Sequence, residues 1–118
     1  MTTASATRFR VADVPALPGV PCPCGTARRA FGDVPGGVAT LHQTTISADS
    51  RTHYHRRMTE LYYVLEGEGT MELDDERVPL RPGISVYIAP QCRHRAVGDL
   101  KVMIVAIPQF DPEDEYFD

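Results

Sequence analysis

The chain has 118 residues, with 12 lysines and arginines against 16 aspartates and glutamates and a formal charge of −4. That length gives one domain, able to bury about two thirds of its unfolded surface, and leaves no room for a second. The acidic balance excludes a nucleic-acid surface, which needs a basic patch, and the longest apolar run, Val102 to Ile107, is far too short to span a membrane.

Met1 to Thr7 is small and polar, the composition of a disordered start. It lacks the apolar core of a signal peptide, so a cytoplasmic location is expected. Between Arg8 and Pro23, four prolines (Pro15, Pro18, Pro21 and Pro23) and Gly19 rule out a regular helix and predict an extended arm. Three cysteines are an odd count, which argues against a secreted disulfide framework. Cys22 and Cys24 have no partner pair with which to build a structural zinc site, and two packed thiols are expected. Arg28-Arg29-Ala30-Phe31 reads as a short strand near the end of an arm spanning residues 1–37. Its arginines are either solvated or available to an anionic substrate.

Residues 38–107 carry the signature of an antiparallel sandwich or barrel, in which short strands recur at turn-marked intervals without an amphipathic helix. Val38 to Ser47 is the first of these strands, and the sequence leaves open which face its His42 and Gln43 occupy. Further strands are predicted over Glu60 to Glu66, Gly69 to Leu73, Arg77 to Leu80, Ser85 to Ile88, His94 to Val97 and Leu100 to Ile107. The joins between them are assigned to Gly67-Glu68-Gly69 as a tight turn or bulge, to the solvated acidic tip Asp74-Asp75-Glu76, to Pro82-Gly83, to Ala89 to Arg93 and to Gly98-Asp99. Residues 108–118 form an acidic tail that can lie across the barrel by Phe110, Tyr116 and Phe117.

The chemistry gathers in His53-Tyr54-His55. Strand side chains alternate, so His53 and His55 project into the same space and Tyr54 points away. Four residues later Glu60 opens a strand that can bring its carboxylate beside both imidazoles, and His94, after a loop, can complete the set. Three imidazoles and a carboxylate suit a divalent transition ion and leave coordination positions open. Each ligand must be deprotonated, so binding should weaken as pH falls through the histidine range. Cys92, two residues before His94, is either a packing residue or a thiol near the mouth of the site.

This pattern resembles the two motifs of the cupin superfamily: His-x-His, four residues, Glu, six residues, Gly67, then Pro82-Gly83, a short strand and His94. The likeness runs from about Val38 to Ile107. It departs from the family at Ser47, at Ile84 and at Ala89-Pro90-Gln91, which are framework positions rather than ligands. The resemblance implies an all-β fold, a single-domain jelly-roll barrel or double-stranded β-helix. It also implies one divalent metal per chain (Fe, Mn, Zn, Ni, Co or Cu) on His53, His55, Glu60 and His94.

A metal so held allows dioxygenase chemistry on a small polar or anionic molecule, the reading the resemblance places first. It also allows Lewis-acid chemistry in an isomerase, epimerase or lyase. A third possibility is a binding module for a metal or small ligand, with no turnover. Tyr62, inward if Glu60 is inward, and Tyr87 are candidates for proton transfer or orientation, against the alternative of packing in the lumen. Leu61, Tyr63 and Leu65 make the other face of that strand apolar as well, as Met103, Val105 and Ile107 do on the last strand. Such a sheet needs a cover on both sides, and a homodimer is expected.

Overall fold

The computed structural model describes residues 8–118, so the reading of Met1 to Thr7 falls outside the described residues. Its strands are β1 (Val20–Cys22), β2 (Gly25–Ala30), β3 (Thr40–Ile46), β4 (Thr59–Leu73), β5 (Glu76–Leu80), β6 (Ser85–Ile88) and β7 (His94–Ile107). One-turn 3₁₀ segments lie at Val14–Ala16 and Pro112–Asp114. All strand pairings are antiparallel. The order runs β1-β2-β3-β7-β4, with β6 beside the first half of β4 and β5 beside its second half. This is the all-β barrel that the turn-marked strand pattern predicts, with the jelly-roll form that the cupin resemblance implies.

Two of the expected joins are not breaks between strands. β4 and β7 are single strands of 15 and 14 residues. They pair from Thr59–Ile107 to Leu73–His94, with a bulge between Val64 and Glu66. The glycines read as joins serve close approach instead. Gly67 has φ +90°, and a Cβ placed there would run into the carbonyl of Asp99; one on Gly69 would meet the carbonyl of Val97. The bulge and these side-chain-free positions let both strands bend from one sheet into the other, which closes the barrel.

The sheet also reaches into the segment assigned to the arm, because β2 pairs with β3 from Gly25–Ile46 to Ala30–Leu41. Cys22 and Cys24 are not two separate packed thiols. The β1–β2 turn brings their Cα atoms to 5.2 Å, and they are joined by a disulfide. Cys92 is free and half-buried.

The inward faces of β4 and β7 follow the expected parity, and the structure decides that of β3, which the sequence leaves open. Glu60, Tyr62 and Val64 on β4 are buried, as are Val102, Ile104 and Ala106 on β7 and Thr40, His42 and Thr44 on β3. Registers align them in rows across the lumen. One row holds Thr40, Ala106, Glu60 and Ile88, and the next holds Arg29, His42, Ile104, Tyr62 and Val86. Below them Ile46, Val64, Met71, Leu80, Leu100 and Val102 pack as the apolar core. Polar rows therefore lie at one end of the barrel and the apolar fill at the other.

Substituting Gly67 by Ala should force both a positive φ and an overlap with a backbone carbonyl onto a residue with a Cβ. A loss of about 3 kcal/mol is expected in urea unfolding; an unchanged midpoint would show that the two strands can separate without penalty.

Candidate metal centre

Three segments deliver the four predicted ligands. Glu60 stands near the start of β4, held between Ala106 and Ile88 on the flanking strands. His94 opens β7, where it pairs with His53: the amide of His94 donates to the carbonyl of His53 at 2.9 Å and the return bond is 3.2 Å. Tyr54 pairs in turn with Tyr116 of the tail, through bonds of 3.0 and 2.9 Å. The two tyrosine rings stack outside, 5.5 Å apart. His53 and His55, one residue either side of Tyr54, therefore face inward together.

The turn between His55 and Glu60 has no ladder to hold it. Its support is Asp114 in the tail, 1% exposed. One oxygen of that carboxylate accepts from the amide of Arg56 at 2.9 Å. The other accepts from Arg57 and Met58 at 3.0 and 2.9 Å. Burial alone would raise the Asp114 pKa, but these three amide bonds outweigh it and hold the group below the ordinary carboxylate range. The backbone carbonyl of the same residue accepts from His55 Nδ1 at 2.7 Å.

The other two imidazoles are oriented in the same way. His53 Nδ1 lies 3.0 Å from the carbonyl of Arg51, and His94 Nδ1 lies 3.0 Å from that of Cys92. A nitrogen facing a carbonyl must carry the proton, so each ring presents its Nε2 lone pair to the lumen. The four side chains are all buried, and a donor atom from each lies within 4.8 Å of the others. Glu60 Oε1 is 3.2 Å from both His55 Nε2 and His94 Nε2. His94 Nε2 nevertheless has no hydrogen-bond partner.

Lone pairs and a carboxylate aimed at one point repel unless something positive lies among them. A proton on His55 is one answer. Burial opposes that charge, but the bond to Glu60 and its carboxylate outweigh it and raise the His55 pKa. His53 stays neutral, pushed down to about 4 by burial and then by His94. Burial acts upward on Glu60, yet the facing imidazoles keep it ionised, well below its usual range. One proton still leaves His94 unanswered. A divalent transition ion would meet all four donors at once, so the residues fit such an ion and could hold it.

Around this set, His42 donates to or accepts from Thr40 Oγ1 at 2.9 Å and meets Phe110 edge-on. Burial, then the charge of Arg29, lowers it to about 4. Tyr62 lies in the lumen, its ring 6.3 Å from that of His94. Burial, then Glu60, raises its pKa well above normal, so its hydroxyl stays protonated. Tyr87 does not line the lumen. It pairs with Leu61 on the outward face of β6 and is 69% exposed, so the proton-transfer role considered for it is withdrawn.

Asp114 and Glu115 of the tail escaped the sequence reading. The pairing of Tyr54 with Tyr116 sets Glu115 opposite His55 and Phe117 opposite His53. By alternation both sit on the ligand side, and the rings of His53 and Phe117 are 6.2 Å apart. Glu115 is half-buried and makes no hydrogen bond or ion pair among the described residues. Burial above all raises its pKa, against the pull of His55 and Arg29. Nothing in Asp111-Pro112-Glu113-Asp114-Glu115 marks the second aspartate and second glutamate as inward. The one local signal is the Asp111-Pro112 start of a 3₁₀ turn, in which Asp111 accepts from the amide of Glu113 at 2.9 Å.

Replacing His53 and His55 together by Ala should abolish stoichiometric metal in elemental analysis of the purified protein; a variant that keeps one ion per chain refutes the ligand assignment. Asp114→Ala keeps the backbone carbonyl that accepts from His55 but strands three amides of the turn between His55 and Glu60. It should lower metal affinity by about 10- to 100-fold in a competition titration and stability by roughly 3 kcal/mol, whereas near wild-type values in both would leave the tail without a role in the site.

Comparison with known proteins agrees with this architecture. A solved protein from Planctomyces limnophilus superposes with a TM-score of 0.89 at 39% identity, over 96% of this chain and all of the other. L-ectoine synthase of Mycolicibacterium gilvum is 34% identical over 76 residues, 62% of this chain and 57% of that protein. Glucose-6-phosphate isomerase of Thermococcus onnurineus is 34% identical over 76 residues, 57% of this chain and 40% of the isomerase. The chain thus spans less than two thirds of the length of either curated relative. The cupin-domain profile matches residues 37–108, from just before β3 to the end of β7, and the chain belongs to the cupin family.

Proposed function

We propose that the protein is a metal-dependent enzyme that moves a proton on a small polar substrate, as an isomerase or lyase, with His53, His55, Glu60 and His94 as the metal ligands. The observation that carries this reading is Glu115, a carboxyl group with no partner of its own on the same face as the ligand histidines. A divalent ion in that position supplies Lewis-acid polarisation of a substrate oxygen. Glu115 then takes a proton from the carbon next to that oxygen and returns it to a neighbouring atom, which gives isomerisation, or to a leaving hydroxyl, which gives elimination. Tyr62 offers a neutral hydroxyl that orients the substrate from the lumen floor. The curated relatives are named a synthase and an isomerase, which favours this chemistry over the dioxygenase reading.

The test incubates Mn(II)-, Fe(II)-, Ni(II)- and Zn(II)-loaded protein with a panel of hydroxy acids, polyols and sugar phosphates in D₂O. Deuterium entering a carbon-bound position of one of them is the expected NMR signal. Glu115→Gln should slow that exchange by about 10²- to 10⁴-fold while metal stoichiometry holds. Oxygen uptake by the Fe(II) form without exchange would transfer the assignment to a dioxygenase. Tight ligand binding with no turnover anywhere on the panel would make the protein a binding module.

We also propose that two copies pair through the outer face of β4, β6 and β7. Tyr63 is 50% exposed there, and Leu65, Tyr87 and Ile107 are exposed beside it. A homodimer is expected by light scattering at micromolar concentration, and Tyr63→Glu should shift it towards monomer; a monodisperse wild-type monomer overturns the pairing.

A further inference from the structure

Arg29 is the one cation in the lumen rows, next to His42 on the sheet and one row from Glu60. Its surroundings differ from those of the other arginines. Arg10, Arg57, Arg93 and Arg95 each pair with a carboxylate, Arg28 bonds the carbonyl of Leu17, and Arg51 and Arg56 lie over the rings of Phe117 and Tyr116. Among the described residues, Arg29 has no carboxylate within ion-pair distance, and its Nε is buried with no hydrogen-bond partner. The guanidinium lies over Phe110, 4.0 Å from the ring centroid, while His42 meets the same ring edge-on. Burial lowers its pKa, although Glu115 and Glu60 are near enough to act on it in the opposite sense.

An Nε–H of a half-buried guanidinium removed from water without a partner is costly, and the donor edge left open here is specific in shape. Stacking on Phe110 fixes the plane of the group, and its unoccupied edge offers parallel N–H donors to a planar anion. His42, lowered to about 4 by burial and then by the charge of Arg29, adds no second cation beside the guanidinium. A single guanidinium edge matches the two coplanar oxygens of a carboxylate, whereas a phosphate dianion would leave its third oxygen and second charge without a partner there.

We propose that Arg29 anchors a substrate carboxylate, so that the site takes a small hydroxy or oxo acid whose second oxygen points at the metal ligands. The inference rests on the proposed metal-dependent reading and names its substrate class. Phe110 and His42 position the arginine, and a carboxylate bound to it completes the orphaned Nε. The rest of the ligand then extends along the lumen towards Glu60 and lies between Glu115 and Tyr62.

The test uses ¹⁵N-labelled, Zn(II)-loaded full-length protein and follows the Arg29 Nε–H resonance during titration with lactate, propane-1,2-diol and inorganic phosphate. Lactate should move that resonance and saturate at a concentration at least about tenfold below phosphate, and the diol should leave it in place. Arg29→Met should weaken lactate binding at least about tenfold by calorimetry with Zn(II) stoichiometry unchanged, and Arg29→Lys should recover part of it. The anchor is overturned if lactate leaves the resonance unmoved, if Arg29→Met binds lactate as wild type does, or if phosphate binds more tightly. Repeating the lactate titration without metal separates the two readings. A protein that binds no Zn(II) but still shifts Arg29 Nε–H has the anchor without the metal centre; one that binds one Zn(II) per chain and shows no shift has the metal centre without the anchor.

Discussion

The buried carboxylate of Asp114 ties the end of the chain to the turn on which the whole donor set depends. Segment 53–58 belongs to no regular ladder. Its backbone is held by the His53–His94 bridge on one side and the Tyr54–Tyr116 bridge on the other. Where those end, the three amides of Arg56, Arg57 and Met58 converge on one side chain. Because the same residue's carbonyl fixes the proton on His55 Nδ1, one position supports both the path of the loop and the tautomer of a ligand. A strand could not do this, since its amides point alternately to opposite sides and cannot meet on a single carboxylate.

The tail is thus a wall of the site rather than an appendage. Tyr116 stacks on Tyr54 with Arg56 and Arg93 over the outer ring faces, and Arg93 also grips Asp118 through two bonds of 2.9 and 3.0 Å. The exposed ion pair contributes little by itself. Its effect is geometric, because it holds the strand-like pairing that turns Glu115 and Phe117 inward. Further back, Gln109 donates to the carbonyls of Phe31 and Val34, and the amide of Phe110 donates to Thr40 Oγ1. Those bonds set Phe110 between Arg29 and His42. Polar groups that would otherwise lie open to solvent are in this way enclosed at the mouth of the barrel, where charges interact more strongly than in water.

The lumen is therefore divided by function. The deep end is apolar, packed by Met71, Leu80, Leu100 and Val102, and supplies the burial that stabilises the barrel. The upper rows and the metal centre bring polar side chains together at some cost in stability, with His94 Nε2 and Arg29 Nε left without partners among the described residues, while Thr44 Oγ1 is unpaired beside Val102 in the next row down. The unpaired histidine and arginine nitrogens mark the end of the barrel where a bound group can complete the bonding.

Local pattern decided a good deal. Strand alternation places His53 beside His55 and Glu60 beside Tyr62 whatever the rest of the chain does, because the period of two is a property of the extended backbone. The ligands and both faces of β4 and β7 were legible for that reason. The glycines were legible only as breaks in the strands. A glycine at a hairpin turn and one beneath a crossing backbone look the same in sequence, so Gly67 and Gly98 read as joins between strands when they lie within single bent strands. The outward direction of Tyr87 and the burial of Asp114, Glu115 and Arg29 depend on contacts between segments far apart in sequence. Only tertiary structure determines them, because whether a charged side chain is solvated or buried depends on what the distant chain brings against it.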